Sequence, residues 1–252
     1  MKLLLKISFL GTNYNGYQVQ PDKPTVQQSL NEAAKRIFGF DCDIVGCSRT
    51  DSGVHANEFF ACVSQKGENS LECSIPMESV PLAFNTVLPD DIAVIGASTV
   101  DSDFHPRYGV KYKEYIYKIW NSPIKDPFGY DRSYHSPKRF SDESISKMDL
   151  AAQRFCGRHD FSAFMAQGSK IVDAHREVKY ASVSREGDLI IFKVAADGFL
   201  YNMERIMVGT LLLVAQGKLE PEDIDGIIES RDRKNSGSTA PACGLYLNKV
   251  EY

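Results

Sequence analysis

The hydrophobic pattern of this chain alternates between strand period and helix period, and it does so twice, restarting near residue 105. In the first pass, Leu3, Leu4, Leu5, Ile7 and Phe9 mark a strand over 2–9. A well-marked helix follows. Thr25 is placed to cap it with Gln28 reaching back, Leu30, Ala33, Ala34 and Ile37 recur at helical spacing, and Gly39 stops it. Short strands near 43–45, 58–64 and 92–98 come next, with a helix over 77–84 before the last. In the second pass, strict alternation over 111–120 puts Lys113, Tyr115, Tyr117 and Ile119 on one face of a long strand. A loop rich in Pro, Asp and Ser (121–137) leads to a helix opened by Ser141-Asp142-Glu143 and stopped by Gly157. A hairpin is predicted from 179–184 and 188–194, then helices over 202–216 and from Pro221, then a strand over 244–251. The pattern specifies an α+β fold of two similar-sized halves, 1–104 and 105–252, with helices layered on one sheet face.

With 252 residues, 43% hydrophobic and 25% charged, the chain can fill one large core or two smaller ones, which excludes disordered, collagenous and coiled-coil classes. Its net charge of -4 argues against wholesale attraction to nucleic acid or anionic membrane. That charge is unevenly spread: residues 1–104 carry 7 Lys+Arg against 13 Asp+Glu, and residues 105–252 carry 22 against 20. The six cysteines form no C-x-x-C pair and lie partly in apolar runs, which points to a reduced, cytoplasmic protein without disulfides or zinc. Neither the N-terminal apolar run nor 206–215 is long enough for a secretory core or a membrane span. His55, His105, His159 and His175 lack the i, i+4 spacing of helical metal ligands, so no metal is expected.

The densest polar cluster is Gly46-Cys47-Ser48-Arg49-Thr50-Asp51-Ser52-Gly53-Val54-His55-Ala56, set between two predicted strands. Two readings compete there. In the first, the segment is a tight connection with an Asx turn at Asp51 and a solvated Arg49. In the second, Asp51 is a nucleophilic or acid/base carboxylate kept ionised by a nearby arginine.

This segment resembles the R-T-D-x-G-V-H-A signature of the TruA-type tRNA pseudouridine synthases, and other stretches match in the family's order. Gly11-Thr12-Asn13-Tyr14-Asn15-Gly16-Tyr17-Gln18 is similar to its G-T-x-F/Y-x-G-W-Q, and Asn85, Leu88-Pro89 and Asp91-Ile92 to its N-x-x-L-P-x-D-I. Phe104-His105-Pro106-Arg107-Tyr108, Tyr115-Ile116-Tyr117, Met203-Glu204-Arg205 through Gly209 and Gly244-Leu245-Tyr246-Leu247 carry it to the end of the sequence. Ser48, Ser52, Tyr17 and Leu10 stand where the family commonly has Gly, Ala, Trp and Asp.

The resemblance implies a cofactor-free isomerisation of uridine to pseudouridine in the anticodon stem-loop of tRNA. It implies Asp51, Tyr115 and Arg205 as catalytic residues. It also implies two subdomains that share a mainly antiparallel sheet with a central cleft, and a homodimer. Asp51 would act as the nucleophile, Arg205 would keep it charged, and Tyr115 would stack on the uracil, worth about 1 to 3 kcal/mol for a base on an aromatic ring. The Tyr115 hydroxyl is a candidate base for the C5 proton. Arg49, His55, Arg107, Lys111 and Lys113 are the candidate contacts to substrate and RNA backbone. Two rivals remain open: an RNA-binding protein without catalysis, and a metal-dependent hydrolase built on Asp51 and the histidines.

Overall fold

A computed structural model describes residues 1–168 and 171–252. In chain order its elements begin β1 (Lys2–Phe9), α1 (Val26–Phe38), β2 (Cys42–Gly46), β3 (His55–Gln65), α2 (Val80–Asn85) and β4 (Ile92–Val100). They continue β5 (Tyr112–Trp120), β6 (Tyr134–His135), α3 (Asp142–Gln153), β7 (Gly157–Asp160), β8 (His175–Glu186) and β9 (Leu189–Ala196). The last are α4 (Met203–Ala215), α5 (Asp223–Ser230) and β10 (Leu245–Glu251). The chain packs as two compact units, Met1–Lys111 with Tyr246–Tyr252, and Tyr112–Leu245. These units divide at 111/112 rather than at 104/105, and the final strand belongs to the first because β10 pairs with β3.

In the first unit the strands run in the order β4-β1-β3-β10. β1 is antiparallel to both neighbours. β2 lies antiparallel to β3 beside residues 61–65, while β10 runs parallel to β3 at His55 and Ala56. The helix α1 starts as its sequence dictates, with the Thr25 hydroxyl accepting the Gln28 N–H and Gly39 closing it at φ +80. The expected return bond is absent: the Gln28 amide instead donates to Glu32 one turn on, an ordinary i, i+4 pair. Leu3, Leu5, Ile7, Leu30, Phe59 and Phe84 form the dry core.

In the second unit the order is β5-β9-β8-β7, all antiparallel, with β6 adding a short parallel bridge to the end of β5. The β8–β9 hairpin turns at Gly187, which takes φ +63. Ser141 caps α3 as expected by accepting the Ser144 N–H. Gly157 does not stop that helix, however. The helix ends at Gln153, and Gly157 at φ +109 opens β7. The apolar centre contains Tyr117, Ile119, Phe155, Phe161, Phe164 and Phe192. Each unit is thus α+β and mainly antiparallel. Among the described residues no helix is long and apolar enough to cross a membrane.

Candidate active site

The Asp51 loop connects β2 to β3, and the segment 11–17 holds it through backbone contacts. The Tyr17 N–H donates to the Thr50 carbonyl at 3.3 Å, the Gly53 N–H to the Tyr14 carbonyl at 3.2 Å, and the Ser52 hydroxyl to that same carbonyl at 3.3 Å. The loop closes on itself where the Val54 N–H donates to the Asp51 carbonyl at 3.2 Å. Gly16 makes the approach possible. It sits at φ +81, and a Cβ there would lie 2.3 Å from the Thr50 carbonyl oxygen. Gly11 is confined in the same way, with Val54 O only 2.0 Å from where its Cβ would be. Asp51 itself is half-buried.

A second layer fixes the holding segment. The Tyr14 hydroxyl donates to Asp91 Oδ1 at 2.5 Å and the Asn13 amide to Asp91 Oδ2 at 3.0 Å, while the Leu10 N–H donates to the Asp91 carbonyl at 2.9 Å. Burial and the Asp91 carboxylate both raise the Tyr14 pKa, so the phenol stays a donor. Tyr17 packs flat on Phe59 with ring centroids 4.4 Å apart, and its buried hydroxyl has no hydrogen-bond partner among the described residues. The motif spacing pointed to Asp51, but not to the bonds by which segment 11–17 and Asp91 hold its loop. The signal was there: Gly11, Gly16 and Asp91 all belong to the matched stretches.

The candidate substrate contacts of this unit divide by burial. Arg49 is exposed and Arg107 is half-buried. Burial raises the Tyr17 pKa, with the Arg107 charge opposing it, and burial and then the Arg107 charge lower that of His105. His55 has a different environment from the one expected of an RNA contact. It has no exposed surface, its Nδ1 accepts the Gly11 N–H at 2.9 Å, and its ring lies 4.6 Å from that of Tyr246. A nitrogen that accepts a backbone N–H in a dry site anchors segment 11–17. Lys111 is exposed, and its ammonium donates to the Tyr252 carbonyl.

In the second unit, Tyr115 and Tyr117 alternate along β5 and are both buried. Their surroundings separate them. The Tyr117 hydroxyl donates to the Pro241 carbonyl at 2.7 Å, and Gly244 leaves room for its ring, since a Cβ there would lie 2.6 Å away. Burial raises its pKa, and it is a structural tyrosine. Tyr115 is 5% exposed and meets Phe199 edge-on at 5.0 Å. Lys113 is half-buried on the same strand.

Arg205 lies in the first turn of α4. Its Nε donates to the Ala240 carbonyl at 2.7 Å and its Nη1 to Asn202 Oδ1 at 2.8 Å, while the Ala240 N–H returns a bond to the Arg205 carbonyl at 3.0 Å. Consecutive carbonyls, Ala240 and Pro241, therefore receive the arginine of one motif and the tyrosine of another. The 236–240 segment is pressed onto α4, because a Cβ at Gly209 would sit 1.7 Å from the Ser238 oxygen and Thr210 Oγ1 accepts the Gly237 N–H at 2.9 Å. Sequence spacing did not reveal this strap. Among the described residues no group of three or more His, Cys, Asp or Glu side chains is placed to hold a metal ion.

Residues 151–252 match the family model described as tRNA pseudouridine synthase. The curated protein "tRNA pseudouridine synthase A" of Acetivibrio thermocellus is 43% identical over 248 residues, 98% of either chain. Its namesakes in Caldicellulosiruptor saccharolyticus and Moorella thermoacetica are 42% and 44% identical, each over 99% of both chains.

Proposed function

The chain belongs to the tRNA pseudouridine synthase A family and isomerises uridine to pseudouridine in tRNA, and we propose that its targets are the anticodon stem-loop uridines at positions 38 to 40. The reaction is internal. The N1–C1′ bond breaks, the uracil turns while held, and a C5–C1′ bond forms. C5 then gives up a proton and N1 gains one, so atoms and electrons balance.

In this reading Asp51 is the nucleophile, which splits one hard step into two easier ones. Arg205 keeps that carboxylate ionised when the nucleotide excludes water, and Tyr115 stacks on the uracil and takes the C5 proton. The observation that carries the reading is the way the Asp51 loop is pinned by backbone bonds and by glycines that admit no Cβ. Such pinning suits a nucleophile, whose placement must be tight for its rate advantage, and a solvated connection has no need of it. Arg49, Arg107 and Lys113 contribute positive charge for phosphates; His55 supports the aspartate loop from behind. The target uridine enters by flipping from its stack, which costs a few kcal/mol.

The decisive experiment is tritium release from tRNA labelled at uracil C5. The wild-type protein should release tritium, and Asp51→Asn should lose release by orders of magnitude while still binding tRNA. A protein that only binds RNA would tolerate the substitution, and release equal to wild type would remove Asp51 from the chemistry.

The same proposal includes a homodimer working in the cytoplasm. Its support is a second-unit loop that exposes Ile124, Phe128 and Tyr130, each more than 70% accessible, which is apolar surface of the kind subunit contacts cover. Light scattering at micromolar concentration should give twice the chain mass, and Phe128→Asp should lower it.

A further inference from the structure

We propose that Asn202 is a positioning residue for the isomerisation: its side chain sets the plane of the Arg205 guanidinium, and through that plane it sets the rate. The inference rests on the role given above to Arg205.

Three observations converge on Asn202. The first is its backbone. Asn202 is the residue before α4 and sits at φ 59, ψ 15, a left-handed conformation that side-chain-bearing residues seldom adopt and that asparagine tolerates best.

The second is what its side chain does there. Asparagine at the start of a helix ordinarily turns its oxygen back to accept an N–H of the first turn. Asn202 makes no such bond. Its Oδ1 accepts from Arg205 Nη1 at 2.8 Å instead, so a capping oxygen has been given up for a side chain one turn along.

The third is that the other contact is also fixed. Arg205 Nε donates at 2.7 Å to Ala240 O, in a strap held against α4 by the Gly209 and Gly237 close approaches and by the Thr210 hydroxyl. A guanidinium is a rigid planar fork. Two bonds from different nitrogens to oxygens on two different segments constrain its tilt as well as its position, and the Asn202 bond is the one made by a side chain.

The test uses the full chain and reads rate, affinity and stability separately. Asn202→Gly keeps the left-handed backbone without strain and removes only the acceptor; Asn202→Asp keeps an acceptor. Single-turnover pseudouridine formation by Asn202→Gly should be slower by about 10- to 100-fold, the scale expected for a misplaced catalytic group. Its tRNA affinity and its thermal midpoint should stay near wild type. Asn202→Asp should recover most of the rate. Once Arg205→Ala has been introduced, adding Asn202→Gly should change nothing further, because the two residues act as one unit.

Wild-type turnover by Asn202→Gly alongside a slow Arg205→Ala would overturn the role of Asn202 and leave that of Arg205 standing. Wild-type turnover by Arg205→Ala would overturn the Arg205 reading itself. The proposal also fails if Asn202→Gly slows Arg205→Ala further, if Asn202→Asp is as slow as Asn202→Gly, or if the loss of rate tracks a fall in thermal midpoint.

Discussion

The two units hold their key residues by opposite means. In the first, the Asp51 loop is fixed through main chain: carbonyls and N–H groups of 11–17 bond those of 50–54, and glycines let the backbones touch. In the second, the Arg205 guanidinium is held directly, with Nε and Nη1 each given its own acceptor. The difference follows from side-chain length. A carboxylate on a single methylene goes where its Cα goes, so fixing the loop fixes the group. An arginine has three methylenes between Cα and guanidinium, and holding the helix leaves the charge free unless its far end is tied as well.

The sharpest way to break this contrast is to add one methyl group in each unit. Gly16→Ala should cost about 2 to 5 kcal/mol, combining the left-handed penalty with a collision against Thr50 O that no rotamer relieves. Gly209→Ala meets Ser238 O in an ordinary helical backbone and should cost roughly 1 to 3 kcal/mol or more from overpacking. Denaturant midpoints give these stability costs, and turnover at low temperature, where each variant stays folded, separates the units. Gly16→Ala should lose activity well beyond its fraction unfolded. If Gly16→Ala retains wild-type turnover in the folded state, the main-chain pinning of Asp51 is irrelevant to rate.

A milder cut tests the second unit. Tyr117→Phe removes the bond to Pro241 and leaves that carbonyl without its partner, for about 1 to 3 kcal/mol. Because Ala240 adjoins Pro241, the rate should fall as well, though less than in Asn202→Gly. The smallest effect is expected in the first unit. Tyr17→Phe deletes a buried hydroxyl that bonds to nothing among the described residues, so stability should stay level or rise by up to about 1 kcal/mol, read as a thermal midpoint.

Acidification offers a graded probe of the first unit. Burial, then Arg107 and Lys2, hold the His105 pKa below its ordinary value, and its Nδ1 accepts the Arg107 N–H at 3.2 Å. A folded pKa lowered below the unfolded one leaves stability intact above the usual histidine range and removes it as pH falls through the folded value. Thermal midpoints measured downward from pH 7 should therefore decline, and His105→Asn should flatten part of that slope.

What could be read from the sequence was what is local in it. Thr25, Ser141 and Gly39 act within a few residues of themselves, and the helices they bound were legible. Gln28 and Gly157 were misread because each had a local competitor: Glu32 took the amide of the first, and the turn at 154–156 ended α3 before the second. β6 and β7, with 2 and 4 residues, are too short to show a period. At the site, residue types and motif order pointed to Asp51, Tyr115 and Arg205, but the bonds from 17 to 50, 14 to 91 and 205 to 240 join stretches that no spacing rule links. His55 shows the limit most clearly, since no spacing in the sequence shows that the fold turns its ring inward.

The parallel pairing of β10 with β3 has a consequence for how the protein is made. Synthesis proceeds from the N-terminus, and domains tend to fold as they emerge. The first unit cannot do so completely: Tyr246 must still come to lie beside His55, Val250 to bond Glu58, and the Tyr252 hydroxyl to reach the Pro106 carbonyl. While the ribosome translates the whole of 112–245, the β3 edge at His55 and Ala56 waits without its final strand. A nascent chain in that state carries an open sheet edge next to its Asp51 loop, and chaperone dependence should be greatest during that interval.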